Sequence, residues 1–144
     1  MITDAGGIPL AFLLTAANRN DCSELVALVD AIPPIRGKRS RPKRRPACVV
    51  GDRGYQWKAA SDQLRRMRIR PLIAERRTEH GSGLGKQRRV VERTLSWLHQ
   101  HRRLRIRYER RADIHEAFVS IACSLICLRA LREHSETALV PCGP

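Results

Sequence analysis

Residues 47–52 read Ala47-Cys48-Val49-Val50-Gly51-Asp52. A short apolar run that ends at glycine predicts a strand, and one that is apolar on both faces predicts a fully buried strand. Asp52 stands where the chain leaves it. Downstream lies Arg88-Arg89-Val90-Val91-Glu92-Arg93-Thr94-Leu95-Ser96-Trp97-Leu98. Val91, Leu95 and Leu98 recur at helical spacing and predict a helix over residues 87–101 with those three side chains on its core face. Glu92 is one step round from that stripe and shares a polar face with Arg88, Ser96 and His99. One carboxylate at a strand mouth and another on a downstream helix can together hold a divalent cation against a phosphodiester.

The remaining elements fall around these two. Met1-Ile2-Thr3, the turn Asp4-Ala5-Gly6-Gly7 and the apolar residues 8–16 predict a β-hairpin. Its glycines supply positive backbone angles, and its second strand is apolar enough to lie inside a sheet covered on both sides. Asp21, with Glu24 three residues on, predicts a capped helix through Leu25, Val26, Leu28 and Val29 that stops at Ile32-Pro33-Pro34. Residues 35–46 form a basic surface loop. Trp57, Ala60, Leu64 and Met67 mark a helix over 56–68, residues 70–74 a further strand and residues 75–86 a loop. Ile114, Phe118, Ile121, Ala122, Leu125 and Ile126 are the core face of a last helix over 112–134. Hairpin, helix, strand, helix, strand, helix, helix is a mixed α/β order, one domain over 1–134 with residues 135–144 as a disordered tail.

The chain carries 28 Lys and Arg against 14 Asp and Glu, a formal charge of +14 over 144 residues. A globular protein with that excess faces a polyanion, and nucleic acid is the default partner. The charge is blocked: Arg36, Lys38, Arg39, Arg41, Lys43, Arg44 and Arg45 form one group, Arg65, Arg66, Arg68 and Arg70 a second, and residues 102–111, beginning with Arg102 and Arg103, a third. Arginine predominates, which suits forked contacts to phosphate. Two each of Trp, Tyr and Phe are too few for a single-strand binder built on stacked bases. No apolar run approaches the roughly 20 residues of a membrane span, and the start is no signal peptide, so a cytoplasmic, nucleoid-associated protein with no membrane partner is expected. The five cysteines have no zinc-site spacing; Cys123 and Cys127 are expected as core residues, and His115 and His134 as helix-surface residues. Glu75 is the nearest rival carboxylate, and Asp30 is expected to be exposed.

Six words carry a resemblance: Ile8-Pro9-Leu10-Ala11, Ala16-Ala17-Asn18-Arg19-Asn20-Asp21, Gly51-Asp52-Arg53-Gly54-Tyr55, Arg68-Ile69-Arg70-Pro71, Val90 to Leu98, and Arg107-Tyr108-Glu109-Arg110-Arg111. In this order and spacing the chain resembles the catalytic region of bacterial insertion-sequence transposases of the DDE class. The resemblance implies a ribonuclease H-like mixed sheet flanked by helices, in which three carboxylates hold two Mg2+ (or Mn2+) ions for DNA cleavage and strand transfer. Transposon ends and target DNA are the implied partners, with a homo-oligomer or an intact transposase beside them. Asp52 matches the family's second aspartate, Glu92 its glutamate, and Arg88 a basic position of the signature around that glutamate. Gly85 and His99 stand where that signature often has tyrosine and lysine, so those roles do not carry over.

The family's first aspartate lies on a strand before the hairpin, so this chain is expected to be N-terminally truncated and inactive by itself. Asp4 matches a turn position and is not a metal ligand. Taken singly, Asp52 before Arg53-Gly54 suits a turn residue, and Glu92 suits a surface partner of Arg88 in a pair worth about 0.3–0.5 kcal/mol. A catalytically dead basic DNA-binding or transposase-inhibiting remnant is therefore the alternative to a transposase catalytic fragment.

Overall fold

A computed structural model describes residues 1–16, 21–36, 41–51, 58–73 and 85–139. Strand β1 (Ile2–Thr3) turns through Asp4 to Gly7 into β2 (Pro9–Ala11). The turn is built by Asp4, whose Oδ1 accepts from Gly6 N–H at 2.9 Å and Ile8 N–H at 2.8 Å while its backbone exchanges bonds with Ile8 and Gly7. Only Gly7 uses a positive φ, +87°. Ile2 faces Ala11 and Thr3 faces Pro9, which leaves Leu10 as an extra residue on β2. That bulge explains why Leu10 and its neighbour Ala11 both pack on the same core.

A 3₁₀ turn (Asp21–Glu24) leads into helix α1 (Leu25–Asp30). Glu24 occupies the cap of α1 without a side-chain capping bond; the capping box expected from Asp21 and Glu24 rests on the Asp21 side chain, which lies outside the described residues. Strand β3 (Cys48–Gly51), helix α2 (Lys58–Arg66) and strand β4 (Arg70–Ile73) form a parallel unit in which Cys48 pairs with Arg70 and Gly51 with Ile73. Arg70 N–H donates to Ala47 O at 3.0 Å, so alternation turns the nitrogen of Pro71 away from β3, where its missing proton costs nothing. Helix α2 ends in a Schellman motif: Ile69 N–H donates to Leu64 O and Arg68 N–H to Arg65 O, both at 2.9 Å, with Leu64 and Ile69 buried against each other's core. Arg68 takes the left-handed position, φ 62°, usually given to glycine.

Helix α3 (Gly85–His99), the short α4 (Arg102–Arg105) and α5 (Ala112–Leu139) are the remaining described elements. The α/β class stands, but among the described residues the strands form two separate two-stranded sheets, β1–β2 and β3–β4. Helix α5 runs through Ser135 to Leu139, into the stretch expected to be a tail.

Two cores result. Leu25, Val29, Ile32, Val49, Ala60, Leu64 and Ile69 form the first, with Ile2, Leu10 and Ala11 of the hairpin against it. Leu98, Ala122 and Ile126 form the second, with Met1, Trp97 and Leu104. Several sequence expectations of burial are corrected here. In β3 only Val49 is buried and Val50 is 39% exposed, since β3 has a described sheet neighbour on one side only. Strand β2 is half-buried and stops at Ala11, leaving Leu13 and Leu14 exposed. On α5 the buried side chains are Val119, Ala122 and Ile126, while Ile114, Ile121 and Leu125 are exposed: α5 is apolar on nearly every side, so spacing could not tell which side α3 and α4 cover. By length and composition Ala112–Ser135 is apolar enough to cross a membrane, contrary to the expectation that no run approaches a span.

Candidate active site and basic surface

Glu92 lies on the exposed face of α3, with Ser96 and His99 exposed one and two turns further on. Arg88 lies on the same helix one turn earlier, but its side chain, like the whole of Asp52 and Glu75, falls outside the described residues. Asp30 and His134 are exposed as expected.

The opposite face of α3 is held unusually firmly. Thr94 is fully buried, and its Oγ1 donates to Gly7 O at 2.7 Å; Val90 O, one turn back, is 3.1 Å away. Beside it, Arg93 Nη2 donates to Gly6 O at 2.7 Å, and the Arg93 guanidinium lies 5.2 Å from the centre of the Trp97 ring. The hairpin turn is thus bolted to α3 through two adjacent carbonyls. The fit requires glycine: a Cβ on Gly7 would come within 3.1 Å of Thr94 Oγ1 and 3.2 Å of Arg93 Nη2. The core face of α3 therefore runs through Thr94 and Leu98, and Leu95, expected on it, is 39% exposed. A hydroxyl in mid-helix looks like a surface residue until its distant partner is known. The available signal was Gly6-Gly7, two adjacent residues whose carbonyls nothing can shield.

Among the described residues no three His, Cys, Asp or Glu side chains cluster as a metal site, and Glu92 is the one described member of the expected carboxylate set. The described side chains do not by themselves build a metal centre.

Residues 1–127 match the family described as the transposase DDE domain. This chain belongs to that family. It is 58% identical over 137 residues to a putative transposase for insertion sequence element IS402 from Burkholderia cepacia, an alignment covering 95% of this chain and 65% of the relative. No solved structure matches. The matched transposase domain includes both Asp52 and Glu92.

Around this DDE domain the cationic blocks are unequal. Arg36, Arg41, Lys43, Arg44 and Arg45 are exposed, and a backbone bridge between Ile35 and Lys43, 2.9 and 2.8 Å, closes the base of their loop; Lys38 and Arg39 lie outside the described residues. Arg65 pairs with Asp62 at 2.9 Å on the surface of α2. In the third block two arginines are engaged by carboxylates. Arg111 makes a two-pronged contact to Asp113, which holds that carboxyl below its usual range, the Arg111 bond being the main cause. Arg103 lies over the Phe118 ring and donates at 2.8 Å to Glu109, whose side chain is 6% exposed. Burial pushes the Glu109 carboxyl up, but the Arg103 bond and the nearby charges outweigh it and hold it below its ordinary value. His115 Nδ1 lies 4.0 Å from the other Glu109 oxygen, so His115 is a half-buried neighbour of this pair and not the surface residue expected from sequence. Arg102, Arg105, Arg107 and Arg110 stay exposed. Cys123 and Cys127 are half-buried on α5, and burial pushes the Cys123 thiol up.

Proposed function

We propose that the chain is a catalytic-domain fragment of a DDE insertion-sequence transposase, in which Asp52 and Glu92 are two of three carboxylates that hold Mg2+ or Mn2+ for cutting and joining DNA. The observation that carries the reading is the family match across 1–127, which contains both residues in family order, together with the placement of Glu92 on an outward face of an otherwise anchored helix. A ribonuclease H-like arrangement, with Asp52 at the end of β3, would bring the two carboxylates together. There Asp52 and Glu92 would hold the metal ions, whose chemistry would be charge stabilisation on a phosphodiester. Arg88 supports Glu92, and the exposed arginines at 36–45 and 102–111 neutralise phosphates of the transposon end and target.

The chain spans 65% of the length of its curated relative, and in this reading the first carboxylate of the set is supplied by sequence outside it. The chain alone is therefore expected to show no strand transfer, because two carboxylates leave one metal without a shared ligand. Strand transfer of labelled transposon ends should appear when an upstream segment carrying the missing aspartate is restored. Asp52→Asn and Glu92→Gln should each abolish it while DNA binding persists. Full activity of the extended protein with Glu92→Gln would overturn the assignment.

A further inference from the structure

The segment after α4 is peculiar. Ile106 and Tyr108 are 59% and 58% exposed, two large apolar side chains within three residues, yet Glu109 beside them is turned inward and nearly buried. Ile106 leaves α4 with extended backbone, φ −131° and ψ 129°, and from there to Arg110 every side chain but that of Glu109 is exposed. With Glu109 drawn in to Arg103, its neighbours Tyr108 and Arg110 are presented outward. The loop is braced from within: Arg107 Nε donates to Glu109 O at 3.1 Å, and Arg103, which grips the carboxylate, is itself laid over Phe118. Exposed apolar side chains on a braced loop lose little further entropy when something covers them.

The charge around them identifies the partner. Arg105, Arg107 and Arg110 are exposed on either side of Tyr108, and Arg102 is exposed one helical turn away. The local acids, Glu109 and Asp113, are occupied by Arg103 and Arg111. Four exposed guanidinium groups with no carboxylate left for them suit a polyanion, and a duplex offers phosphates to the arginines and base faces to the ring. Proteins that kink DNA combine these parts, an apolar wedge at a base step with cations on the flanking phosphates.

We propose that residues 105–110 form a DNA wedge, in which Tyr108, with Ile106, stacks at an opened base step while Arg105, Arg107 and Arg110 hold the adjacent phosphates and Glu109 fixes the loop from below. This rests on the reading of the chain as DNA-processing and adds to it a contact with the bases at a disrupted step.

The two kinds of contact separate by salt. Phosphate contacts lower the log of affinity with log salt at about 0.9 per phosphate, whereas stacking has no such dependence. The test uses the full chain and two 20-base-pair duplexes, one fully paired and one with a central mismatch bearing 2-aminopurine, titrated by anisotropy at several salt concentrations. Tyr108→Ala should weaken binding to the mismatched duplex roughly 5- to 150-fold, leave the salt slope unchanged and remove the change in 2-aminopurine emission. Tyr108→Phe, which keeps the ring, should behave as the unaltered chain. Arg110→Ala should flatten the slope by about one unit and keep the emission change. If the chain binds both duplexes with a steep salt slope but Tyr108→Ala matches it in affinity and emission, the wedge is refuted and DNA binding stands. If the unaltered chain binds neither duplex, the DNA reading falls and the wedge with it.

Discussion

Replacing Thr94 by valine removes one hydroxyl from the centre of the joint between hairpin and α3, and changes almost nothing else. Valine has the same shape, and the site is fully buried, so no solvent can replace the lost donor. The hydroxyl has a single proton and two carbonyls within reach; the shorter contact, 2.7 Å to Gly7 O against 3.1 Å to Val90 O, takes it. Val90 O lies within a helix and keeps its backbone role, but Gly7 O is left facing a methyl group. A buried carbonyl without a partner costs about 1–3 kcal/mol. For a chain of this length each kcal/mol lowers the unfolding midpoint by roughly 2–4 °C, so Thr94→Val should lower it by about 2–12 °C. Urea unfolding followed by circular dichroism measures the same quantity independently. Gly7→Ala should be destabilising for a second reason, its positive φ and the Cβ contacts with Thr94 and Arg93. Because both changes break one joint, the double variant should fall short of the sum by about 0.5 kcal/mol or more. A Thr94→Val chain within about 0.5 kcal/mol of the unaltered one, a change typical of a surface site, would refute the joint.

Arg68→Gly should stabilise the chain by up to roughly 1 kcal/mol, read as a raised unfolding midpoint, because it relieves a left-handed residue in an otherwise complete Schellman motif; a lowered midpoint would mean the Arg68 side chain holds something the backbone argument ignores. Leu98→Ala should cost about 2–5 kcal/mol and Leu95→Ala under about 1 kcal/mol in urea unfolding, the reverse order restoring the sequence-based face of α3. Glu109 has a lowered pKa, so its contribution is fully present above the ordinary carboxylate value of 4.5 and is lost as pH falls through the folded value. The stability gap between the unaltered chain and Glu109→Gln, followed by thermal unfolding from pH 7 to pH 3, should accordingly be constant near neutrality and close below about pH 4.5; a gap that widens on acidification would reverse the sign assigned to Glu109.

The elements legible in the sequence were those whose signal is local. Asp4-Ala5-Gly6-Gly7 spells its own turn, and the carboxylate of Asp4 is consumed in it, as its place in the hairpin implied. The β3–α2–β4 unit was legible because apolar runs and helical spacing alternate there without ambiguity. What failed was rotation. On α3 the stripe Val91, Leu95, Leu98 and the stripe through Thr94 and Leu98 differ by one step, and the choice was made by carbonyls 87 residues away in the chain. On α5 apolar residues surround the axis, so spacing carries no direction at all. The end of α2 was read two residues late, at Arg68 for Arg66, because Arg68 stands where glycine is the usual sign. Of the site, Glu92 was placed on a helix face that the structure leaves outward. The pairing of Glu109 with Arg103 was legible from charge alone, but the burial of Glu109 beside His115 was not, since it depends on how α5 packs against the segment after α4.

The hairpin explains how residues so far from Glu92 can govern it. Alternation along β1 sends Met1 to the second core and Ile2 to the first, and the bulge sends both Leu10 and Ala11 to the first. The turn then grips α3 through Gly6 and Gly7. Glu92 is accordingly positioned by the hairpin and by α5, while β3, which leads to Asp52, is positioned by the first core through Val49. The hairpin belongs to both, and Ile2, Leu10 and Ala11 are its side chains in the first core. A change in their packing shifts the helix bearing one proposed ligand relative to the strand leading to the other, without altering the chemistry of either. Substitutions at Leu10 should therefore resemble active-site changes in a strand-transfer assay of the extended protein, at a cost in stability smaller than that of Leu64→Ala at the centre of the same core. Loss of activity that merely tracks loss of folded protein across a Leu10 series would show that the hairpin supports the fold and nothing more.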